Sequence, residues 1–262
     1  MGLRHAEITG RILKAYYEVW NHTARLYPEV IYERCMQGEL APHLPCKRQD
    51  AYEIFYKNIK VGGQRLDMFL ADEIVVELKV VPELTKLHKA QTISYIKVVG
   101  KRDGLLINFG GTQPTFHRLF YNEPEQPPAE GTIRKKVQEM AGPYAPDLVY
   151  EINAALFEVF RHLGPGFIQR IYANACYQEF LLRGLAPQSH RQFEVIYKGK
   201  PAGPISLKHI QIADILLFPI ARTDPNALPI KIMKDYLAYM NYPLAIIANF
   251  QDTKLSPIII RP

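Results

Sequence analysis

The segment RLDMFLADEIVVELKVV, residues 65–81, decides the fold. Its second half, Ile74–Val81, is rich in β-branched residues and is interrupted only by Glu77 and Lys79, which predicts a buried strand. Because side chains alternate along a strand, Glu77 and Lys79 share one face. Asp67 lies in the apolar stretch before this strand, and residues 71–73 predict a tight turn between the two. The segment therefore predicts a hairpin that carries two carboxylates and an ammonium group.

Charged side chains in such a strand need an explanation. An unpaired polar group in an apolar environment costs roughly 2 kcal/mol or more, so a charge at this place indicates a functional site. Two carboxylates on adjacent strands can hold a hard cation such as Mg²⁺. A neighbouring lysine can orient a water molecule and stabilise charge on a phosphoryl oxygen. Two alternatives stay open: Glu77 and Lys79 form an exposed ion pair on an edge strand, or Asp67 faces the turn.

The flanking sequence predicts a mixed α/β unit. Apolar residues recur at helical spacing from Ile8 to Trp20, and Pro28 suits the first turn of a second helix that runs to about Gln37. The remaining predicted elements are strands over residues 52–57 and 64–70, a helix over 87–99 and a strand over 103–109. The order α-α-β-β-β-α-β predicts a mixed sheet covered by helices.

The sequence also repeats itself. Glu29-Val-Ile-Tyr32 matches Gln169-Arg-Ile-Tyr172, Arg65-Leu-Asp67 matches Ile212-Ala-Asp214, and Ile107-Asn-Phe109 matches Ala248-Asn-Phe250. Matches that keep their order predict two tandem copies. We expect a first domain over residues 1–122, a proline-rich linker over 123–146 with a short helix at about 133–140, and a second copy over 147–262.

A family resemblance follows from these residues. Asp67, Glu77-Leu-Lys79 and Gln91-x-x-x-Tyr95 resemble the motifs of the PD-(D/E)xK nuclease superfamily, and Glu29-x-x-Tyr32 resembles its GxxExxY branch. The resemblance implies a restriction-endonuclease-like core, here duplicated in tandem. The glycine of the branch motif is replaced by Leu26 in the first copy and is present as Gly166 in the second.

The resemblance also implies roles for the first copy. Asp67 and Glu77 are expected to bind Mg²⁺, with the Leu78 carbonyl as a further ligand and Mn²⁺ as the alternative ion. Lys79 is expected to activate or position the attacking water, and Glu29 to reach the metal through water. Gln91 and Tyr95 lie on one helix face and are expected to support the site or contact the nucleic-acid backbone.

The second copy departs from this pattern. Gln169 replaces Glu29, Ile232 replaces Gln91, and Asp214 is followed by no Glu-x-Lys. Residues 216–229 contain three prolines, which predicts irregular structure. We therefore expect an inactive copy that packs on the first as an internal pseudo-dimer or extends a nucleic-acid surface.

Simpler interpretations remain for the outlying residues. Glu29 is also explained by the favourable charge of an acidic residue at a helix start. Tyr95 is also explained as a core aromatic residue, and Gln91 is equally open. His88 and His117 are expected to be surface or loop histidines, because neither has a partner at the spacing of a metal site or a catalytic triad.

Composition excludes several classes of protein. Apolar residues make up 48% and charged residues 22% of 262 residues, as in globular proteins. No apolar run approaches the roughly 18 residues that span a bilayer, and residues 1–10 do not read as a secretory signal. Three widely spaced cysteines suggest free thiols in a reducing, cytoplasmic compartment. The net charge of +6 permits a polyanionic partner without requiring one.

The sequence thus predicts a Mg²⁺-dependent nuclease that hydrolyses phosphodiester bonds, with DNA favoured over RNA. The first copy carries the chemistry, and the second is structural or binds substrate. The alternative is a non-catalytic nucleic-acid-binding module or protein-interaction scaffold that retains the nuclease fold. No membrane partner is expected, and further homo-oligomerisation is open.

Overall fold

The chain forms two compact units. The computed structural model describes residues 5–122, 144–224 and 230–262. Unit 1 comprises Met1–Ile54 and Gly63–Pro124, and unit 2 comprises Phe55–Gly62 and Glu125–Pro262. The tip of a hairpin in the first copy therefore belongs to unit 2. The proline-rich linker and its predicted helix lie almost wholly outside the described residues.

The helices of unit 1 lie within a few residues of their predicted bounds. Helix α1 spans Ala6–His22, with Ile12, Tyr16 and Val19 buried along one stripe. Helix α2 spans Glu29–Leu40 and follows Pro28, and it ends three residues later than expected. Helix α3 spans Lys86–Val98, and the Thr85 side chain accepts a hydrogen bond from the backbone N–H of His88 in a capping box.

The strands of unit 1 form a mixed sheet and a separate hairpin. The sheet order is β1-β4-β5-β6-β7, with β5 parallel to β6 and the other pairs antiparallel; β2 pairs with β3 alone. The strand bounds are β1 Cys46–Arg48, β2 Ala51–Tyr56, β3 Ile59–Arg65, β4 Met68–Leu70, β5 Ile74–Lys79, β6 Asp103–Asn108 and β7 Thr115–Phe120. Helices α1 and α2 pack on the sheet face that presents Val76, Leu78 and Ile107.

Unit 2 repeats the architecture. Its helices are α4 Pro146–Leu163, α5 Gln169–Leu182 and α6 Ile230–Met240. The sheet order is β12-β11-β10-β9-β8, with β10 parallel to β11. The strand bounds are β8 Gln188–Tyr197, β9 Lys200–Ile212, β10 Ile215–Ile220, β11 Leu244–Asn249 and β12 Ile258–Ile260. The mixed α/β class and the duplicated sheet are as expected from the sequence.

The strand expected over residues 64–70 is wrong in one respect. It breaks at Leu66 and Asp67, so β3 ends at Arg65 and β4 begins at Met68. Asp67 therefore lies between strands rather than inside one. Strands β1 and β7 were not predicted at all.

The irregular segment expected in the second copy is also wrong over its first residues. Ile215–Ile220 forms the buried strand β10, which includes Pro219. The antiparallel ladder with β9 covers only Ile215–Leu217. Pro219 lies beyond that ladder, where its missing N–H leaves no strand bond unmade.

Asp214 is not the counterpart of Asp67. It lies in the turn between β9 and β10 and accepts a hydrogen bond from the Tyr144 hydroxyl.

Among the described residues, none of the helices combines the length and the apolar character that a membrane-spanning helix requires.

Candidate active site

The break between β3 and β4 turns Asp67 toward β5. The ladder between β4 and β5 ends at the pair Met68–Val76, which leaves the next part of the β5 edge open. Asp67 occupies that edge, and its Oδ2 accepts a hydrogen bond from the Leu78 N–H at 2.9 Å. The backbone N–H of Gln49 in turn donates to the Asp67 carbonyl at 3.0 Å. Asp67 is thus fixed from both sides, and it faces β5 rather than the turn at residues 71–73.

Glu77 and Lys79 form a buried ion pair. Strand β5 lies between β4 and β6, and the Lys79 Nζ is 2.7 Å from Glu77 Oε1. The side chains of Glu77 and Lys79 are only 6% and 15% exposed. The alternative of an exposed pair on an edge strand is therefore excluded.

The two carboxyl groups of Asp67 and Glu77 oppose each other electrostatically. Burial, followed by the charge of Glu77, raises the pKa of Asp67 to about 8. Burial also raises the pKa of Glu77, although Lys79 and a hydrogen bond with Asp67 act against it. Burial lowers the pKa of Lys79, but its ion pair with Glu77 and the charges of Asp67 and Glu29 together outweigh burial, so the net pKa is raised. Lys79 therefore stays charged at neutral pH, whereas the Asp67–Glu77 pair resists carrying two negative charges.

Glu29 acts on the same cluster. It is the first residue of α2, and its charge raises the pKa of both Glu77 and Lys79. Leu26, which replaces the motif glycine, adopts the left-handed φ of 66°, and α2 still begins at Glu29. The missing glycine therefore does not displace the helix start.

Gln91 and Tyr95 both lie in α3, one turn apart. Gln91 is half-buried. The buried Tyr95 accepts a hydrogen bond at its hydroxyl from Gln64 Nε2 at 2.7 Å, which joins α3 to β3. Tyr32 is a core residue: it stacks on Phe109 with ring centroids 4.3 Å apart and donates from its hydroxyl to the Ala24 carbonyl at 2.8 Å.

His88 and His117 are both partly exposed, and they lie in regular elements rather than in loops. His88 lies in the first turn of α3, where its Nδ1 accepts from the Thr85 N–H at 3.1 Å. Burial lowers the pKa of His88, as does the charge of Lys79, which brings the imidazole near the site. His117 is half-buried in β7.

A further buried carboxylate, that of Glu33, was not predicted from the sequence. Glu33 is 3% exposed, and its carboxylate accepts bonds from Arg48 Nη1 and Gln49 Nε2, each at 3.0 Å. Gln49 Nε2 also lies 3.4 Å from Asp67 Oδ1. One signal could have identified it: Glu33 follows Glu29 by one helical turn, so both share a face of α2.

The oxygen donors fit a hard divalent cation. Asp67 and Glu77 contact each other, and both have a raised pKa, so a dication between them relieves their repulsion. Among the described residues, no group of three His, Cys, Asp or Glu side chains is close enough to form a complete metal cage. The chain therefore supplies two carboxylates, and further ligands are water or backbone carbonyls.

Unit 2 lacks this cluster. The last β9–β10 pair, Ile210–Leu217, corresponds to Met68–Val76. His209 therefore occupies the place of Asp67, while Phe218 and Ile220 occupy those of Glu77 and Lys79. Gln169 begins α5 as Glu29 begins α2. Among the residues of unit 2 that the structure describes, no pair of carboxylates lies at this position.

The duplicated mixed sheet, with a carboxylate–lysine cluster on its parallel strand, defines a nuclease-like domain. The chain belongs to the PD-(D/E)XK nuclease superfamily, whose family model matches residues 6–119 and 146–261. Members of this superfamily are usually nucleases that use divalent metals.

A solved structure titled "Crystal structure of SSO0001" is 16% identical in sequence to this chain. The alignment covers 62% of this chain and 97% of the chain in that structure. Its TM-score is 0.24, too low to support an argument. No curated protein matches the chain.

Proposed function

We propose that unit 1 is a Mg²⁺-dependent nuclease of the GxxExxY type that hydrolyses phosphodiester bonds, in DNA rather than RNA, with Mn²⁺ able to replace Mg²⁺. The observation that carries this proposal is the buried cluster of Asp67, Glu77 and Lys79. A fold keeps two repelling carboxyl groups in its interior only at a cost, and such costs concentrate at functional sites. The catalytic copy corresponds to residues 1–122.

Asp67 and Glu77 hold the metal in this proposal. The Leu78 carbonyl is the third ligand, because the N–H and C=O of one strand residue point to the same edge. The Leu78 N–H points to Asp67. The next carbonyl along the chain, that of Lys79, points to the other edge and accepts a hydrogen bond from the N–H of Phe109, the residue after β6. Glu29 contributes through a bound water.

Bound Mg²⁺ supplies charge stabilisation at the scissile phosphate and lowers the pKa of a coordinated water. Lys79, which stays protonated, positions the attacking water and stabilises charge on a phosphoryl oxygen. Gln91 and Tyr95 support this arrangement from α3, and Tyr95 does so through its bond to Gln64.

The proposal is tested by cleavage of single-stranded, duplex and branched DNA and of RNA in Mg²⁺, Mn²⁺ or EDTA. Glu77→Gln and Lys79→Met each leave one buried charge without its partner, so the double variant is also needed. We expect metal-dependent cleavage by the wild type and a loss of about a hundredfold or more in each variant.

The exposed Glu39→Ala change in α2 is the matched control, and its activity should equal that of the wild type. If folded wild-type protein cleaves none of these substrates, the catalytic proposal fails. Binding that is unchanged by the substitutions then favours the alternative, a nucleic-acid-binding module that has kept the fold.

A further inference from the structure

Unit 2 contains a pocket where unit 1 has its candidate site. The pocket has a volume of about 830 Å³, and Gln169, Ala173, His190 and His209 are among the residues that line it. Two landmarks align the units. Tyr172 stacks on Phe250 at 4.4 Å, as Tyr32 stacks on Phe109, and His190 pairs with His209 across β8 and β9.

These landmarks give the counterparts of the lining residues. The residue after Tyr172 is Ala173, and the residue after Tyr32 is Glu33. The His190–His209 pair replaces Gln49 and Asp67, and Ser189 replaces Arg48. Alanine and serine are much shorter than glutamate and arginine. The pocket therefore occupies space that the Glu33–Arg48–Gln49 network fills in unit 1.

The charge at this position is reversed between the units. The unit 1 site contains Glu29, Glu33, Asp67 and Glu77, whereas the unit 2 pocket is lined by Lys60, Arg170, Arg191 and Lys208. No Asp or Glu is among the described residues that line the pocket. A pocket of this composition repels metal cations and attracts anions.

Two imidazole rings of the pocket wall carry polar atoms that have no partner within the described part of the chain. His209 is 4% exposed, and its Nδ1 lies 2.8 Å from the Leu207 carbonyl. The Nε2 atoms of His209 and His190 are buried without a hydrogen-bond partner among the described residues. Buried polar atoms are usually paired. Burial lowers the pKa of His209, and its neutral ring carries the proton at Nδ1, so its Nε2 is an acceptor that suits a ligand donor such as the amino group of a base. The phosphate oxygens of the ligand take their hydrogen bonds from other side chains of the pocket.

We propose that this pocket binds the phosphate group of a nucleotide unit directly, without metal. Its volume lies in the range of roughly 300–1,000 Å³ that accommodates small ligands. Arginine and lysine bind phosphate oxygens through charge-assisted hydrogen bonds, and Ser189 and Gln178 add neutral donors. Tyr177 offers an aromatic face to a base. The inference extends the proposed function, because a bound strand is then also a substrate for unit 1.

Binding is measured on the full chain in EDTA, which removes metal-dependent cleavage, by the fluorescence anisotropy of a short labelled single-stranded DNA. The double variant Arg191→Ala/Lys208→Ala should weaken binding about tenfold or more, since each change removes a charged hydrogen bond. Lys200→Ala and Lys198→Ala together remove the same charge from the same hairpin, outside the pocket lining. This control should change the affinity less than twofold.

A second pair of variants tests the charge reversal. Ala173→Glu returns the carboxylate found in unit 1 and should abolish binding, whereas the similarly sized Ala173→Gln should retain most of it. Equal affinities in these two variants, or equal weakening in the two double variants, overturn the proposal. Circular dichroism establishes that each variant is folded.

Competition identifies the source of the phosphate. Unlabelled adenosine monophosphate that displaces the strand indicates a free nucleotide ligand, and displacement by unlabelled strand alone indicates a nucleic-acid ligand. Both outcomes support a phosphate pocket. Because no cleavage is involved, a protein that binds through the pocket but never cleaves refutes only the nuclease proposal. A protein that cleaves but binds independently of the pocket refutes only this one.

Discussion

At the residue scale, the candidate site of unit 1 consists of charged side chains whose burial lowers the stability of the fold. The Asp67 carboxyl has a pKa of about 8 because it is buried and lies beside Glu77. The hydrogen bond from the Leu78 N–H to Asp67 and the 2.7 Å contact of Lys79 with Glu77 offset part of this cost. Such a cluster lowers stability in the absence of a cation, which is a common trade-off at functional sites. A role in binding a cation and in catalysis therefore explains this cluster better than a role in stabilising the fold.

Leu26 shows a second local cost. It adopts a φ of 66°, and its side chain is 79% exposed. The corresponding Gly166 has a φ of 115°. Left-handed backbone costs a non-glycine residue roughly 1 kcal/mol, so Leu26→Gly should raise the thermal unfolding midpoint of the protein by a few degrees. Differential scanning calorimetry measures this shift.

Leu26→Ala is the matched control, because it removes the same exposed side chain but keeps a Cβ. We expect no stabilisation from it. A gain in Leu26→Ala equal to that in Leu26→Gly would show that the leucine side chain, rather than its backbone conformation, is responsible.

At the element scale, the spacing of apolar residues predicted those helices and strands whose formation depends on neighbouring residues in the sequence. Helix α1, strand β5 and strand β6 follow from side-chain patterns within a few residues. Strand β1 is three residues long and exists only through its pairing with β4, which no local pattern reveals. The prediction at Pro219 was wrong for the same reason. A strand accepts a proline only where no neighbouring strand needs its N–H, and the end of the β9–β10 ladder cannot be read from the local sequence.

The residues of the candidate site show the same difference between local and long-range information. Glu77 and Lys79 were recognisable because they interrupt an apolar strand, and Asp67 because a hairpin brings it near. Glu33 was not recognised, since its burial depends on Arg48 and Gln49, which come from another element. A single glutamate in a helix carries no such information.

The hairpin tip in unit 2 depends on one buried carboxylate. Glu179 of α5 is 2% exposed, and it accepts hydrogen bonds from the Tyr56 hydroxyl and Lys57 Nζ, each at 2.7 Å. Arg183 Nε donates to its other oxygen at 2.9 Å. Each donor helps to offset the desolvation of the carboxylate.

Tyr56→Phe should therefore destabilise the protein by about 1–3 kcal/mol, because it removes one donor from a buried charged acceptor. Tyr52→Phe on the same strand is the control, since the buried Tyr52 hydroxyl has no hydrogen-bond partner among the described residues. Its stability should be unchanged or slightly higher. Urea unfolding followed by fluorescence compares the two, and equal losses would contradict this account of Glu179.

At the scale of the whole molecule, the two units share a scaffold but not their chemistry. The Asn108 side chain bonds both the N–H and the carbonyl of Val81, and Asn249 does the same with Arg222. Unit 2 thus retains the asparagine hydrogen bonds and the stacked tyrosine of unit 1, whereas the carboxylates of the site are replaced. The duplicated fold therefore tolerates loss of the site, because its stability rests on packing and backbone hydrogen bonds elsewhere.

This division predicts the metal stoichiometry of the full chain. Asp67 and Glu77 supply hard oxygen ligands in unit 1, whereas unit 2 has His209 and Phe218 in their places. Isothermal titration with Mn²⁺ should therefore give one site per chain rather than two, and Glu77→Gln should eliminate it. Phe218→Ala, at the corresponding place in unit 2, should leave the site intact. A second equivalent of bound ion that survives Glu77→Gln would show that unit 2 holds metal through residues other than this pair.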